Sequence, residues 1–185
     1  MIVNNLMKAE ILIGSPRKNG NTAAMAKILT DELMSKKIDV NISSLYDYDI
    51  KPCTDCRSCK SGDLTCVLKD DYSLLCRRIE DADILVIGTP IYWYGPTAKT
   101  KLLIDRFRPY FTSKKLEGKK AALLLPAGDG AVDCDLTIEM FRRVFETLGI
   151  EYLGVVTSKL YNIGDAEKDS NLKSSITELG HCFIS

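Results

Sequence analysis

Short apolar runs alternate with helically spaced apolar residues along the whole chain, and no other feature restricts the fold so tightly. The runs are AEILIG (9–14), VNISSL (40–45), DILVIGTP (83–90), KKAALLLPAG (119–128) and IEYLGVV (150–156). Short apolar runs bounded by turn formers read as strands. Between them Met25, Ile28, Leu29 and Leu33 recur at helical spacing across 21–37, as do Leu74, Leu75 and Ile79 across 70–80. A helix with Pro96 in its first turn carries Leu102, Leu103 and Phe107 inward. Another covers 137–148, and a last one from Glu167 runs through Leu172, Ile176 and Leu179. Five strands separated by helices predict βαβ units, hence a doubly wound α/β domain with a parallel sheet covered on both faces. The chain shows no internal repeat, low-complexity tract or linker, so residues 1–185 are expected to form a single domain.

Charge and hydropathy remove several classes of function. Lys plus Arg equals Asp plus Glu at 25 each, so no global field favours nucleic acid or an anionic membrane surface. No apolar run approaches the roughly eighteen residues of a membrane span. The start, MIVNNLMKAEILIG, lacks a basic region and a small-residue cleavage site, so the expected compartment is the reducing cytoplasm. Structural disulfides are rare there.

Open parallel sheets bind ligands beyond the carboxyl ends of their strands, which directs attention to 14–22, 45–70, 89–97 and 126–135. GSPRKNGNT (14–22) has glycines and a proline for tight turns, with Asn21 or Thr22 placed to cap the following helix. Helix-start N–H groups hold anions, and the side chains of Ser15, Arg17, Asn21 and Thr22 add donors. Asn21 stands where a Walker loop needs lysine, and the G-x-G-x-x-G fingerprint is absent, which leaves a terminal phosphate or a well-capped polar turn. TPIYWYGPTAKTK (89–101) sets Tyr92, Trp93 and Tyr94 in a row after the most apolar strand. Three consecutive rings cannot all enter one core, so a flat ligand, a dimer interface or a neighbouring loop must cover them.

A phosphate at one loop and a flat ring at another describe a mononucleotide such as FMN. GSPRKNGNT together with TPIYWYGPTAKTKLLIDR resembles the flavodoxin-like NAD(P)H-dependent FMN reductases, over residues 8 to 157. With CTDCRSCKSGDLTC (53–66) added, the chain is most similar to the iron–sulfur flavoprotein branch. The resemblance implies a flavodoxin-like five-stranded parallel sheet of order 2-1-3-4-5. It implies that Ser15, Arg17, Asn19, Asn21 and Thr22 hold the FMN phosphate and that Pro90, Ile91, Tyr92 and Trp93 line the isoalloxazine. Ala127, Gly128 and Asp129 correspond to a further flavin-contacting loop.

Cys53, Cys56, Cys59 and Cys66 place four of the seven cysteines in an insertion at about 46–69. Four thiolates on one loop suit a [4Fe–4S] cube, one sulfur per iron. Zinc sites generally separate two paired knuckles by a longer spacer, and a redox dithiol would leave two cysteines without a role. The cluster is the preferred reading, with free thiols and zinc as alternatives. Asp70 or Asp71 is expected to cap the next helix, and Asp105 with Arg106 to form a helix-end ion pair. Cys76, Cys134 and Cys182 are expected to be small buried hydrophobes. His181, the only histidine, offers no triad.

The resemblance implies an oxidoreductase in which flavin does the chemistry, fed by NAD(P)H or a ferredoxin-type donor. A small-molecule or protein acceptor would take the electrons, and the assembly would be a homodimer or homotetramer. The alternatives are a flavodoxin-type electron carrier, a cluster-free NAD(P)H:FMN or quinone reductase, and a phosphate-binding module with a zinc loop.

Overall fold

A computed structural model describes residues 6–184; residues 1–5 and 185, the extreme ends of the expected domain, lie outside the described residues. Five parallel strands form the sheet: β1 (Lys8–Ile13), β2 (Asp39–Ser44), β3 (Ile84–Gly88), β6 (Lys120–Ala127) and β7 (Glu151–Lys159). Their order is β2-β1-β3-β6-β7, which is the expected 2-1-3-4-5 once a small hairpin is set aside. That hairpin, β4 (Ile91–Tyr92) with β5 (Gly95–Pro96), is an addition to the expected elements. The three central strands are almost wholly buried, whereas the edge strand β2 turns polar residues to water. Apolar sequence and central position therefore coincide.

Two helical layers cover the sheet. One is α1 (Asn21–Ser35), α6 (Asp165–Lys168) and α7 (Ser170–Cys182), packed through Met25, Leu29 and Leu33 against Leu172, Ile176 and Phe183. The other is α2 (Tyr72–Asp81), α3 (Ala98–Asp105), α4 (Arg108–Ser113) and α5 (Asp135–Leu148), packed through Leu75, Ile79, Leu103, Phe107, Phe141 and Phe145. Burying side chains of this size is worth about 1.5–3 kcal/mol each, so both layers are firmly seated.

Local chemistry moves three boundaries from their expected places. Pro96 sits in β5, and α3 begins only at Ala98, where the Thr97 hydroxyl caps the Thr100 N–H. The single helix expected after the third loop is two, because Pro109 cannot continue an α-helix and starts α4 instead. The last helix divides at Asp169, whose carboxylate accepts from the Leu172 N–H at 3.0 Å and begins α7. Among the described residues no helix is long and apolar enough to cross a membrane.

Candidate functional site

All five sheet strands release their loops at one edge, and the first and third loops are locked together there. The Gly14 N–H donates to the Gly88 carbonyl at 2.7 Å, and the Thr97 hydroxyl donates to the Gly14 carbonyl at 2.6 Å. Thr97 N–H reaches the Thr89 hydroxyl at 3.1 Å, and the Thr97 and Thr100 hydroxyls lie 3.0 Å apart. A Cβ on Gly14 would stand 1.8 Å from Thr100 Oγ1, so only glycine permits this approach.

Beyond Gly14 the chain runs to the start of α1. Ser15 is buried, and its hydroxyl accepts from the Arg17 N–H at 3.2 Å, leaving its proton available. Gly20, not Asn21 or Thr22, is the N-cap, and no side chain caps the helix. The first N–H groups of α1 are therefore free for an anion, where the helix dipole favours negative charge. Asn21 is engaged elsewhere. Its amide donates to the Asn162 carbonyl at 2.9 Å and accepts from the Ala166 N–H at 3.4 Å, holding the loop after β7 against α1.

These loops enclose a cleft of about 210 Å³ lined by Ser15, Arg17, Gly20, Asn21, Thr22, Pro90, Ile91, Tyr92, Pro126, Ala127, Gly128, Leu160 and Tyr161. Three expected residues stand apart from it. Asn19 is exposed on the rim of its turn. Trp93 is 96% exposed at the hairpin tip, where it and Tyr94 both take positive φ, at 52° and 64°. Asp129 pairs with Lys159 at 3.2 Å. Tyr92 and Tyr94 are also exposed, so no neighbouring loop covers this aromatic row.

Pro126, Leu160 and Tyr161 join the cleft without having been expected there. The apolar run that marks the fifth strand ends at residue 156, but the strand itself runs to Lys159 and carries Leu160 and Tyr161 to the same edge as the other loops. A larger cavity of about 370 Å³ lies elsewhere, between α3, α4 and α5, with Phe107, Ile104, Val144 and Leu148 forming an apolar wall. Apart from Lys60 its lining comes from these helices and the turn joining α3 to α4, and it includes no residue of the first or third strand-end loop, so the smaller cleft is the candidate site.

The cysteine segment leaves the sheet beside this edge. A single 3-10 turn, Ser58–Lys60, is its helical element, and Asp55, Arg57, Gly62 and Leu64 all adopt positive φ. Cys59 is buried, Cys53 and Cys66 are half-buried, and Cys56 is exposed. Burial, then the neighbouring Cys66, pushes the Cys59 thiol up, whereas hydrogen bonds from Ser58 hold the exposed Cys56 thiol down. Among the described residues no three or more His, Cys, Asp or Glu side chains are gathered closely enough to hold a metal ion. The four thiols match a cluster in number and in sharing one loop, but not in position.

The expected Asp105–Arg106 pair does not form. Asp105 binds Lys101 at 2.6 Å on the helix surface, while Arg106 turns inward to Asp70 at 2.6 Å. A surface helix pair is worth only a few tenths of a kcal/mol, whereas the buried partner satisfies a guanidinium that water cannot reach. Asp71 is the N-cap residue of α2 but its side chain does not cap it, turning instead to the Asp49 N–H at 2.8 Å, while Asp70 accepts from the Tyr72 N–H at 3.2 Å. Cys134 is buried and Cys76 half-buried, but Cys182 is exposed at the end of α7, on a face that the helix leaves to water. His181 is exposed and lies 3.6 Å from Glu32.

Comparison with known proteins agrees with this architecture. The sequence model of the NADPH-dependent FMN reductase family matches residues 7–158. An iron-sulfur flavoprotein of Archaeoglobus fulgidus is 32% identical over 178 residues, spanning 93% of this chain and 80% of that protein. The putative NAD(P)H-dependent FMN-containing oxidoreductase YwqN of Bacillus subtilis is 30% identical, spanning 94% of this chain and 96% of its own. Among solved structures, the NAD(P)H:quinone oxidoreductase of Methanothermobacter marburgensis superposes with a TM-score of 0.72 at 20% identity, covering 97% of this chain and 98% of that one. The Trp repressor binding protein of Bacillus subtilis superposes at 0.71 with 23% identity, covering 92% and 96%. These superpositions place the fold among flavodoxin-like structures. Taken with the family match across the sheet and its strand-end loops, they make this chain a member of the NADPH-dependent FMN reductase family, a flavin-dependent oxidoreductase.

Proposed function

We propose that FMN sits in the strand-end cleft with a nicotinamide as its donor, and that Cys53, Cys56, Cys59 and Cys66 are the residues that would hold a [4Fe–4S] cluster, which would supply one-electron transfer to a small-molecule or protein acceptor. One observation carries the first part: the uncapped start of α1, the buried Ser15 and Thr22, and the Pro90–Tyr92 wall converge on one cleft. The phosphate takes the free N–H groups of α1, the Ser15 and Thr22 hydroxyls and Arg17. About 210 Å³ is less than the roughly 300–1,000 Å³ of sites that enclose a ligand whole. The cleft thus seats the phosphate, the ribityl chain and a ring edge, and leaves one ring face open for the donor. Gly128, whose Cβ position meets nothing within 4 Å, lets the ring lie close to backbone.

When bound, FMN accepts a hydride and returns electrons singly, which is chemistry no side chain supplies. The residues position it: Tyr92 flanks the ring, and the interlocked threonines fix the distance between phosphate loop and ring loop. The exposed Trp93 and Tyr94 offer cover from a second chain, so a homodimer or homotetramer belongs to this reading. A cytoplasmic setting, which keeps the thiols reduced, belongs to it as well.

The cluster is supported by the cysteine set and by relatives named iron-sulfur flavoproteins. The cluster-free reductase is favoured by one specific observation, the failure of three thiols to converge. An anaerobic absorption spectrum with iron and sulfide analysis separates them. Flavin bands with a broad shoulder near ~400 nm and about four iron per chain support the cluster. Flavin bands with no iron support the simple reductase.

A further inference from the structure

The backbone that follows β7 is pinned on both sides of one loose side chain. Leu160 is buried, and its N–H donates to the Ala127 carbonyl at 3.0 Å. The Asp165 carboxylate accepts from the Tyr161 N–H at 3.1 Å and from the Asn162 N–H at 2.7 Å, and Gly164, at φ 89°, makes the turn that brings it back. Ala166 is fully buried against the α1 layer. Between these anchors the Tyr161 side chain borders the cleft and is 79% exposed. Its hydroxyl has no hydrogen-bond partner among the described residues.

Asn21 brings this segment to the phosphate end of the cleft. Its carboxamide bonds to the carbonyl one residue after Tyr161 and to the Ala166 N–H. Asn21 is also the first residue of α1, whose free N–H groups favour an anion. The side chain that the resemblance assigns to the phosphate is therefore bonded to protein. The phenol that it draws to the same helix start is a donor with nothing to bind.

We propose that Asn21 is a positioning residue: it latches residues 160–166 to the start of α1, and so holds the Tyr161 hydroxyl where it donates to the FMN phosphate. This rests on the FMN site proposed above. A hydroxyl donating to a phosphate oxygen makes a charge-assisted bond, stronger than a neutral one. Tyr161 thereby distinguishes a phosphorylated flavin from riboflavin, which offers the same ring without the anion.

The test is a titration of the flavin-free full chain with FMN and with riboflavin. Tyr161→Phe should weaken FMN about tenfold and leave riboflavin unchanged. Asn21→Ala should reproduce that selective loss, and in the Tyr161→Phe background it should cost less than about twofold more, because both changes remove one contact. Unchanged FMN affinity in Tyr161→Phe, or equal losses for FMN and riboflavin, overturns the role of the hydroxyl. Additive losses overturn the latch and make Asn21 a direct phosphate ligand. In each of these cases wild type still binds FMN, so the site stands and only this inference falls; a wild type that binds neither flavin overturns both. Tyr161→Phe alters one exposed atom and keeps the fold. If Asn21→Ala does not fold, Asp165→Ala takes its place in the cycle, since it frees the Tyr161 and Asn162 N–H groups from outside the cleft lining.

Discussion

The phosphate loop and the cysteine segment leave neighbouring strands at the same edge, yet they are held in opposite ways. Residues 14–22 are held at successive points: Gly14 by Gly88, Thr97 and the close approach of Thr100, the turn by the Arg17 N–H to Ser15 and the Gly20 N–H to the Arg17 carbonyl, and Asn21 by Asn162 and Ala166. Residues 52–69 are fixed at their ends, by Arg106, Asp70 and the mutual bonds of Asp49 and Asp71 at 2.8 and 3.0 Å. Inside the segment the ion pairs lie at the surface, Asp55 with Arg108 at 2.5 Å and with Arg57 at 3.6 Å. A site that must present donors to a rigid anion is built before the ligand arrives. A loop whose thiols must close around something larger is anchored at its neck and left adjustable between.

Breaking the neck should have the largest effect. Removing one partner of a buried ion pair costs about 3–5 kcal/mol, so Asp70→Asn is expected to lower stability by that order at pH 7, read by urea melts. The pH dependence has a defined sign. Burial alone would raise the Asp70 carboxyl, but bonds from Arg106 and the Lys51 N–H outweigh it and hold the group below its ordinary value of 3.8. Its stabilisation is therefore complete above about pH 4 to 5 and is lost as pH falls through the depressed native value. The difference between wild type and Asp70→Asn should shrink below about pH 4; a constant difference down to about pH 2 would count against the pair.

Breaking the interlock of the phosphate loop comes next. Gly14→Ala drives a methyl into Thr100 Oγ1, an overpacking worth about 1–3 kcal/mol. Thr100→Ala in the same chain should restore part of that loss, and strict additivity would show that the two do not touch. On the proposed FMN site Ser15→Ala and Thr22→Val each remove one phosphate donor, so each should weaken FMN about tenfold in a titration, with little change in melting. The smallest effect is expected at Asn19→Ala, which lies outside the cleft: FMN affinity unchanged and stability within about 0.5 kcal/mol.

The βαβ alternation made the parallel sheet and both helical layers legible, because apolar runs and buried strands are the same residues, whereas the strand order came from the family resemblance. That Ser15, Thr22, Pro90, Ile91 and Tyr92 line one cleft was legible because a strand-end rule and local residue chemistry point to one place. Arg106 was not, since a sequence shows the neighbour Asp105 but not a partner thirty-six positions away. Tyr161 was hidden by three residues of strand that are too polar to read as buried. Trp93 reads as a ring wall because aromatic character is visible in sequence, whereas the left-handed turn that throws it outward is not.

Gly128 gives the most direct test of an FMN site at the strand ends, because a side chain there has room to exist yet fills the cleft. The measurement is FMN bound per chain in wild type and Gly128→Phe, alongside the melting temperature of each flavin-free protein. Wild type should hold about one FMN, and Gly128→Phe should melt at the same temperature while holding almost none. Full FMN occupancy in a folded Gly128→Phe would place the flavin elsewhere and contradict the site.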